Sequence, residues 1–138
     1  MAKLINGYAE RGLMLPKSLN QLYQSLRDFV VAETPDGRIV ACGGLHISWE
    51  DLAEIRSLAV EEEHQGDGLG REIVRLLLAE APQLGVTKVF ALTYQVDFFL
   101  RMGFHVIPKE TLPRKIWVDC LDCPKFPNCD ELAMVLDL

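Results

Sequence analysis

Apolar residues recur every three to four positions in three stretches of the chain, which is the spacing of an amphipathic helix. The first two stretches, around residues 4–8 and 19–26, predict short helices separated by residues 12–16, with Ser18 as the N-cap of the second. The third predicts a helix over 69–84, with its last turn loosened by Pro82. Its predicted apolar face consists of Leu69, Ile73, Leu76, Leu77 and Ala81. A fourth, short helix is predicted over 98–102.

Runs of β-branched and apolar residues between turn residues predict six strands. They cover residues 29–33, 39–47, 54–60, 88–93, 104–107 and 132–136. A tight turn at 35–37 joins the first two strands as a hairpin, and the first three strands are predicted to be antiparallel. The order of elements therefore predicts an α+β fold, in which helices flank a mixed, mostly antiparallel sheet.

Length and charge limit the number of domains and the kinds of partner. The 138 residues, of which 49% are hydrophobic, fit a single domain over 1–138 with its own core. A net charge of −6 opposes non-specific binding to nucleic acid or to an anionic membrane, so neither is predicted as a partner. No apolar run is long enough for a membrane span, and the N-terminus lacks a signal-peptide pattern. We therefore expect a cytoplasmic protein.

Four cysteines are expected to be thiols or metal ligands in a reducing cytoplasm. Cys42 lies in a predicted strand, whereas Cys120, Cys123 and Cys129 are grouped near the C-terminus. Their C-x2-C-x5-C spacing supplies three soft ligands, but a closed zinc site takes four. The group is thus a candidate metal site, the alternative is a proline-shaped loop, and no metal is predicted to be required.

A glycine-dense turn over residues 65–71 joins a predicted strand to the longest predicted helix. Its glycines allow main-chain N–H groups to approach phosphate oxygens, and the helix directs its free N–H groups and positive dipole end at the same place. The spacing differs from both the dinucleotide G-x-G-x-x-G turn and the nucleoside triphosphate loop. The turn predicts a pyrophosphate site, and a tight connection without a ligand is the open alternative.

Two ordered motifs resemble those of the GNAT N-acetyltransferase superfamily. Gln65, Gly68 and Gly70 match its acetyl-CoA motif [QR]-x-x-G-x-[GA], and residues 98–104 are similar to its F-[YF]-x-x-x-G-F segment. Residues 17–18, 54–60, 89–93 and 115–131 are most similar to the short bacterial N-acetylglutamate synthase type, which lacks an amino-acid-kinase domain. The resemblance implies the GNAT fold.

The resemblance also implies acetyl-CoA as co-substrate. The strand end would pair with the pantetheine arm as a further strand does, a main-chain N–H near Val60 would stabilise the developing oxyanion, and the turn would hold the diphosphate. Coenzyme contacts are accordingly predicted for Leu58, Ala59, Val60, Gln65, Gly66, Asp67, Gly68, Leu69, Gly70 and Arg71.

Glu54 is the predicted general base, because acetyl transfer needs a deprotonated amine. Its spacing of six from Val60 would place both side chains on one face if no bulge intervenes; the alternative is a solvent-facing strand residue. Many members use a tyrosine as general acid where this chain has Phe99. Similarity to the glutamate synthases assigns that role to Thr93, with Tyr94 as the second choice.

The same resemblance implies an amino-acid substrate, most simply L-glutamate, and a role in arginine biosynthesis. Two carboxylates call for two fixed cations, and Lys17 and Arg56 match such positions, with Ser18 beside them. Arg114 and Lys115 are further candidates. The alternatives are an acetyltransferase for another small amine or a protein N-terminus, and a non-catalytic acyl-CoA-binding or thiol- or metal-sensing module.

The usual first strand of the superfamily has no counterpart in this sequence. Either the start site is displaced, or a partner subunit fills the edge of the sheet, which would favour a homodimer.

Overall fold

The computed structural model describes residues 1–11, 17–112 and 131–138. Six strands form one sheet in the order β1-β2-β3-β4-β6-β5. Their bounds are Phe29–Glu33 (β1), Ile39–Ile47 (β2), Leu52–Val60 (β3), Lys88–Thr93 (β4), His105–Ile107 (β5) and Leu132–Asp137 (β6). Only β3 and β4 pair in parallel among the described strands, so the predicted mixed and mostly antiparallel sheet is confirmed.

Helices cover both faces of this sheet. They are Ala2–Glu10 (α1), Leu19–Gln24 (α2), Leu69–Glu80 (α3) and Val96–Arg101 (α4). Ser18 caps α2 as predicted: its side chain accepts from the Gln21 N–H, and the Gln21 side chain accepts from the Ser18 N–H. The predicted loosening at Pro82 is also confirmed, because α3 gives way to a 3-10 turn at Ala81–Leu84.

The buried face of α3 differs in part from the prediction. Ile73 and Leu77 are buried as expected, but Val74 is buried as well and Leu76 is 41% exposed. The prediction for Leu76 was wrong because the helix is rotated about its axis toward Val74, which turns Leu76 away from the sheet. The helix packs on the side of the sheet where Ala41, Leu45, Ala53 and Ile55 lie.

Gly43 of β2 allows α3 to approach the sheet closely. A Cβ added at Gly43 would lie 2.8 Å from Ile73 Cγ2 and 3.2 Å from Leu58 Cδ1, which is too close for carbon atoms. Helix and sheet are therefore in contact at a distance that only glycine permits.

We expect Gly43→Ala to lower the free energy of unfolding by about 1–3 kcal/mol, because the methyl group overpacks the interface between α3 and the sheet. Gly7→Ala in α1 is the matched control, since Gly7 is exposed and its added Cβ meets no atom within 4 Å among the residues that the structure describes. There the same change should stabilise the protein by about 0.5–1 kcal/mol through helix propensity. Urea denaturation of both variants measures the difference; equal shifts would contradict the close approach at Gly43.

The opposite face of the sheet is covered by α1 and α2. Ile5 and Leu22 pack there against Cys42 and Ala59, and all four residues are buried. Burial raises the pKa of the Cys42 thiol to about 11, so this thiol stays protonated at neutral pH.

A β-bulge interrupts β3 at Ser57. Cys42 of β2 pairs with Ala59 while Gly44 pairs with Arg56, which leaves one extra residue in β3, and Ser57 has a φ of 54°. The bulge reverses the alternation of side chains along the strand. Consequently Glu54, Arg56 and Ala59 lie on the α1 side, whereas Val60 packs into the core cluster on the α3 side.

The expectation that Glu54 and Val60 share a face is therefore wrong. It was conditional on a regular strand, and Ser57 supplies the irregularity. Glu54 is placed instead with Arg56, on the face that α1 and α2 cover.

Candidate active site

A cleft opens where β3 and β4 separate. The two strands pair only from Leu52–Lys88 to Glu54–Phe90, although β3 runs on to Val60 and β4 to Thr93. Over residues 55–60 no strand among the described residues pairs with this edge of β3. An edge of this kind presents unpaired main-chain N–H and C=O groups, which can hydrogen-bond an extended ligand as a strand would.

The end of β3 directs the main chain of Val60 into this cleft. The N–H of Glu61 donates to the Val40 carbonyl at 2.7 Å, so Glu61 faces β2. Main-chain groups alternate along a strand, and those of Val60 therefore face the other edge. In agreement, the Val60 carbonyl accepts from Gln65 Nε2 at 3.2 Å and from the Tyr8 hydroxyl.

A cavity of about 560 Å³ lies between the end of β3, the turn before α3, and α4. It is large enough for part of a cofactor-sized ligand. All the predicted coenzyme contacts line it except Asp67, whose side chain is 67% exposed and whose Oδ2 lies 4.0 Å from His64 Nδ1. The lining residues are Tyr8, Leu58, Ala59, Val60, His64, Gln65, Gly66, Gly68, Leu69, Gly70, Arg71, Gln95, Phe98, Arg101 and Met102.

The turn before α3 is shaped to hold an anion. Gly66 and Gly68 have φ values of 89° and 83°, which place them in the left-handed region that favours glycine. Gly68 is the N-cap of α3, and its carbonyl accepts the first helical bond from Glu72 N at 3.0 Å. The N–H groups of the following turn are left for a ligand, at the positive end of the helix dipole.

Two arginines line the same cavity from different elements. Arg71 belongs to the first turn of α3 and Arg101 to the last turn of α4. In a chain with a net charge of −6, these two guanidinium groups provide local positive charge for a diphosphate.

Several cavity residues were missed from the sequence. Tyr8 reaches the cavity only because α1 packs across the end of β3, and no local pattern signals that contact. Arg101 and Phe98 lie in the segment that matched the second motif, so their helix was anticipated and their contact with the cavity was not.

Glu54 forms a partly buried ion pair at the inner end of the cleft. The residue is 8% exposed, and Arg56 Nε donates to its Oε1 at 2.6 Å. The alternative of a solvent-facing strand residue is thus wrong. His46 lies opposite Glu54 in the ladder, and its Nδ1 is 3.4 Å from Asp28 Oδ2. Charged groups that are buried in this manner are common at functional sites.

Thr93 and Tyr94 follow β4 on the other side of the cleft. Thr93 is 8% exposed, and its Oγ1 accepts from the Gln95 N–H at 2.8 Å, which fixes the turn into α4. By alternation Thr93 lies on the face of Val89 and Ala91, in the α3-side core. Phe90 and Leu92 pack on the face of Leu52 and hence of Glu54, and Tyr94 follows in a bend after the end of β4, where it is half-buried.

Asn6 of α1 holds the segment that begins α2. Its Oδ1 accepts from the Lys17 N–H, and its Nδ2 donates to the Lys17 carbonyl, both at 2.8 Å. The Ser18 hydroxyl is engaged in the capping of α2. Lys17 therefore has a fixed main chain, which is a favourable base for a side chain that contacts a ligand.

The remaining sequence candidates fall outside the described residues. These are Arg114, Lys115, Cys120, Cys123 and Cys129. Among residues 1–11, 17–112 and 131–138, no group of three His, Cys, Asp or Glu side chains could hold a metal ion. No helix in this part of the chain is long and apolar enough to cross a membrane.

Comparison with known proteins identifies relatives over the full length of the chain. Residues 7–104 match the model of the Acetyltransferase (GNAT) family. An uncharacterized N-acetyltransferase of Chlorobaculum tepidum is 44% identical over 138 residues, which cover 100% of this chain and 88% of that protein. The amino-acid acetyltransferase of Mycobacterium tuberculosis is 44% identical over 107 residues, covering 76% of this chain and 61% of that protein.

Two solved structures are similar to this chain over nearly its whole length. A Mycobacterium tuberculosis protein in complex with CoA has a TM-score of 0.83 at 34% identity, with 99% of this chain and 91% of that chain covered. N-acetylglutamate synthase from Neisseria gonorrhoeae, complexed with coenzyme A and N-acetyl-glutamate, has a TM-score of 0.87 at 26% identity; the match covers 99% of this chain and 32% of that chain. The chain thus spans only about a third of the length of the gonococcal enzyme.

Proposed function

This chain belongs to the acetyltransferase (GNAT) family and is an acetyl-CoA-dependent N-acetyltransferase, and we propose that its acceptor is the α-amine of an amino acid, with L-glutamate as the substrate. The observation that carries the choice of acceptor is the partly buried Glu54–Arg56 pair beside the cleft. It offers a carboxylate for the amine and a guanidinium for a carboxylate. The relatives named amino-acid acetyltransferase and N-acetylglutamate synthase support the same class of acceptor.

The residues around the cavity fit the coenzyme. In this proposal the turn over 65–71 binds the diphosphate through main-chain N–H groups, and Arg71 and Arg101 add charge. The open edge of β3 binds the pantetheine arm, and the N–H of Val60 stabilises the negative charge that develops on the acetyl oxygen. Acetyl-CoA supplies the activated acyl carbon of a thioester.

Glu54 acts as general base in this proposal. An α-amine is largely in its ammonium form at neutral pH, so it must lose a proton before its nitrogen can attack. The Arg56 guanidinium beside Glu54 keeps the carboxylate oriented. Glu54 takes the ammonium proton, and the neutral nitrogen then attacks the acyl carbon. As the C–N bond forms and the C–S bond breaks, the nitrogen gives up a second proton, which balances the proton that the leaving thiolate takes up from the general acid.

We propose Tyr94 as the proton donor for that thiolate. Thr93, the first choice from the sequence, lies by alternation on the α3-side face of β4, opposite to the face of Glu54. Tyr94 directly follows β4, and its phenol is the more acidic hydroxyl.

Recognition of glutamate requires two cations. Arg56, whose Nε donates to Glu54, is the proposed partner for one carboxylate, because a guanidinium matches the planar geometry of that group. Lys17, whose main chain is held by Asn6, is the proposed partner for the second carboxylate. A cytoplasmic homodimer that serves arginine biosynthesis is the broader expectation that accompanies this assignment.

The acceptor is tested directly by incubating the protein with acetyl-CoA and a panel of amines while release of the free coenzyme thiol is followed. The panel contains glutamate, glutamine, aspartate, arginine and a peptide with a free N-terminus. The highest kcat/KM with glutamate would support the proposal. Turnover confined to the peptide or to other amines would replace glutamate with that acceptor.

We expect Lys17→Ala to raise the apparent KM for glutamate about tenfold or more and to leave the KM for acetyl-CoA nearly unchanged. Loss of one charge-assisted hydrogen bond to a carboxylate accounts for an effect of this size. Lys3→Ala is the control, because Lys3 is an exposed lysine of α1 with the same charge. Equal effects of Lys17→Ala on both substrates would remove Lys17 from the acceptor pocket.

A further inference from the structure

Tyr8, Gln65 and the main chain of Val60 form a hydrogen-bonded group at the end of β3. The Tyr8 hydroxyl donates to the Val60 carbonyl, and Gln65 Nε2 donates both to the Tyr8 oxygen at 2.7 Å and to the Val60 oxygen at 3.2 Å. Tyr8 thus connects α1 to the strand end and to the first residue of the glycine turn. Tyr8 is 52 residues from Val60 and 57 from Gln65 in sequence, so its contacts with both are a product of the tertiary fold.

The ring of Tyr8 is itself held in place. The guanidinium carbon of Arg11 lies over the ring, 4.7 Å from its centroid, and Arg11 also pairs with Glu62. On its other side the ring packs against the cluster of Ile5, Cys42 and Ala59. A hydroxyl on a ring that is fixed in this way has little freedom to turn away from Val60.

These contacts determine how Val60 faces the cleft. Because the peptide group is planar, fixing the Val60 carbonyl also fixes the Glu61 N–H, which donates to Val40 of β2 at 2.7 Å. The last residues of β3 are therefore held on both edges. The N–H of Val60, which points into the cleft, acquires a defined direction as a result.

Helix α1 also reaches the acceptor side. Asn6 holds the main chain of Lys17 by two hydrogen bonds, and it is two residues, or about half a turn, from Tyr8. The helix therefore lies between the coenzyme cavity and the start of α2. A shift of α1 would move both sets of contacts at once.

We propose that Tyr8 is a positioning residue for acetyl transfer: its hydroxyl holds the end of β3 so that the Val60 N–H meets the thioester end of acetyl-CoA, while α1 ties that geometry to the segment at Lys17. This inference rests on the use of acetyl-CoA and is independent of which amine is the acceptor.

The test is Tyr8→Phe, which removes the hydroxyl and keeps the ring, its contact with Arg11 and its packing. We expect kcat to fall about tenfold, equivalent to about 1.4 kcal/mol of transition-state stabilisation. Affinity for CoA, measured by calorimetry, should change less than about threefold because the turn over 65–71 is intact. The effect should therefore appear in kcat and only weakly in coenzyme binding.

Val86→Ala separates positioning from stability. Val86 is 2% exposed in the core on the α3 side and does not line the cavity, so the loss of its methyl groups lowers Tm and leaves the contacts of α1 in place. We expect this variant to keep its kcat despite a fall in Tm at least as large as that of Tyr8→Phe. An unchanged kcat in Tyr8→Phe, or an equal loss of kcat in Val86→Ala, would overturn the proposal.

The assay uses whichever amine gives the highest turnover in the panel. If glutamate fails as a substrate, the comparison between Tyr8→Phe and Val86→Ala is made with the amine that replaces it. Failure of the glutamate assignment and failure of the role of Tyr8 are thereby observed separately.

Discussion

Glu54→Gln should lower turnover near neutral pH by about a hundredfold or more, which is the usual contribution of a general base. The substitution keeps the size of the side chain and an oxygen that can accept from Arg56 Nε, so the local packing is retained. It removes the site to which the amine proton is transferred. The loss should therefore appear in turnover of the folded protein, while Tm falls because the partly buried Arg56 guanidinium loses its counter-charge.

The loss of turnover in Glu54→Gln should become smaller as the pH rises. The base is needed only for acceptor molecules that still carry the ammonium proton, and their fraction falls as the pH rises toward the pKa of the amine. The ratio of wild-type to variant turnover should accordingly shrink at alkaline pH. Glu33→Gln provides the control, because Glu33 is an exposed glutamate on β1. A constant ratio across the pH range would discard Glu54 as the base.

Local patterns were sufficient to predict the elements that build the site. The run over 88–93 predicted β4 with the bounds that the structure has, and the glycine turn correctly preceded a helix that begins at Leu69. These features depend on neighbours in sequence: alternation, capping and the backbone freedom of glycine. They can therefore be predicted without knowledge of the tertiary structure.

The bulge at Ser57 could not be read in this way. Serine is an ordinary residue in a strand, and its φ of 54° is imposed by the pairing of β3 with β2 on either side. Because one extra residue reverses the side-chain alternation, the error changed the predicted relation between Glu54 and Val60. It left the relation between Glu54 and Arg56 intact, since both precede the bulge.

The sequence ranked Thr93 above Tyr94 as general acid, and this ranking also depended on strand pairing that the sequence does not show. Sequence similarity pointed to a hydroxyl at the end of β4, but the face on which Thr93 lies relative to Glu54 follows from the parallel pairing of Glu54 with Phe90. That pairing joins residues far apart in the chain. The contact of Tyr8 with Val60 is likewise a matter of helix packing, and no local motif contains it.

Gly68→Ala should weaken coenzyme binding at least tenfold. No atom of residues 1–11, 17–112 or 131–138 beyond the chain neighbours of Gly68 lies within 4 Å of the added Cβ, so the substitution introduces no clash with this part of the chain. The methyl group would project from a residue that lines the cavity and would keep phosphate oxygens away from the main-chain N–H groups at the start of α3. Calorimetric titration with CoA measures the change.

Backbone strain has to be separated from this effect, because alanine is strained at the φ of 83° that Gly68 adopts. Gly85→Ala is the matched control: Gly85 has a φ of 80°, equally open surroundings, and a position outside the cavity lining. Both variants should lose about 1 kcal/mol of unfolding free energy in urea denaturation. Only Gly68→Ala should lose affinity for CoA, and equal affinities in the two variants would mean that the turn does not bind the diphosphate.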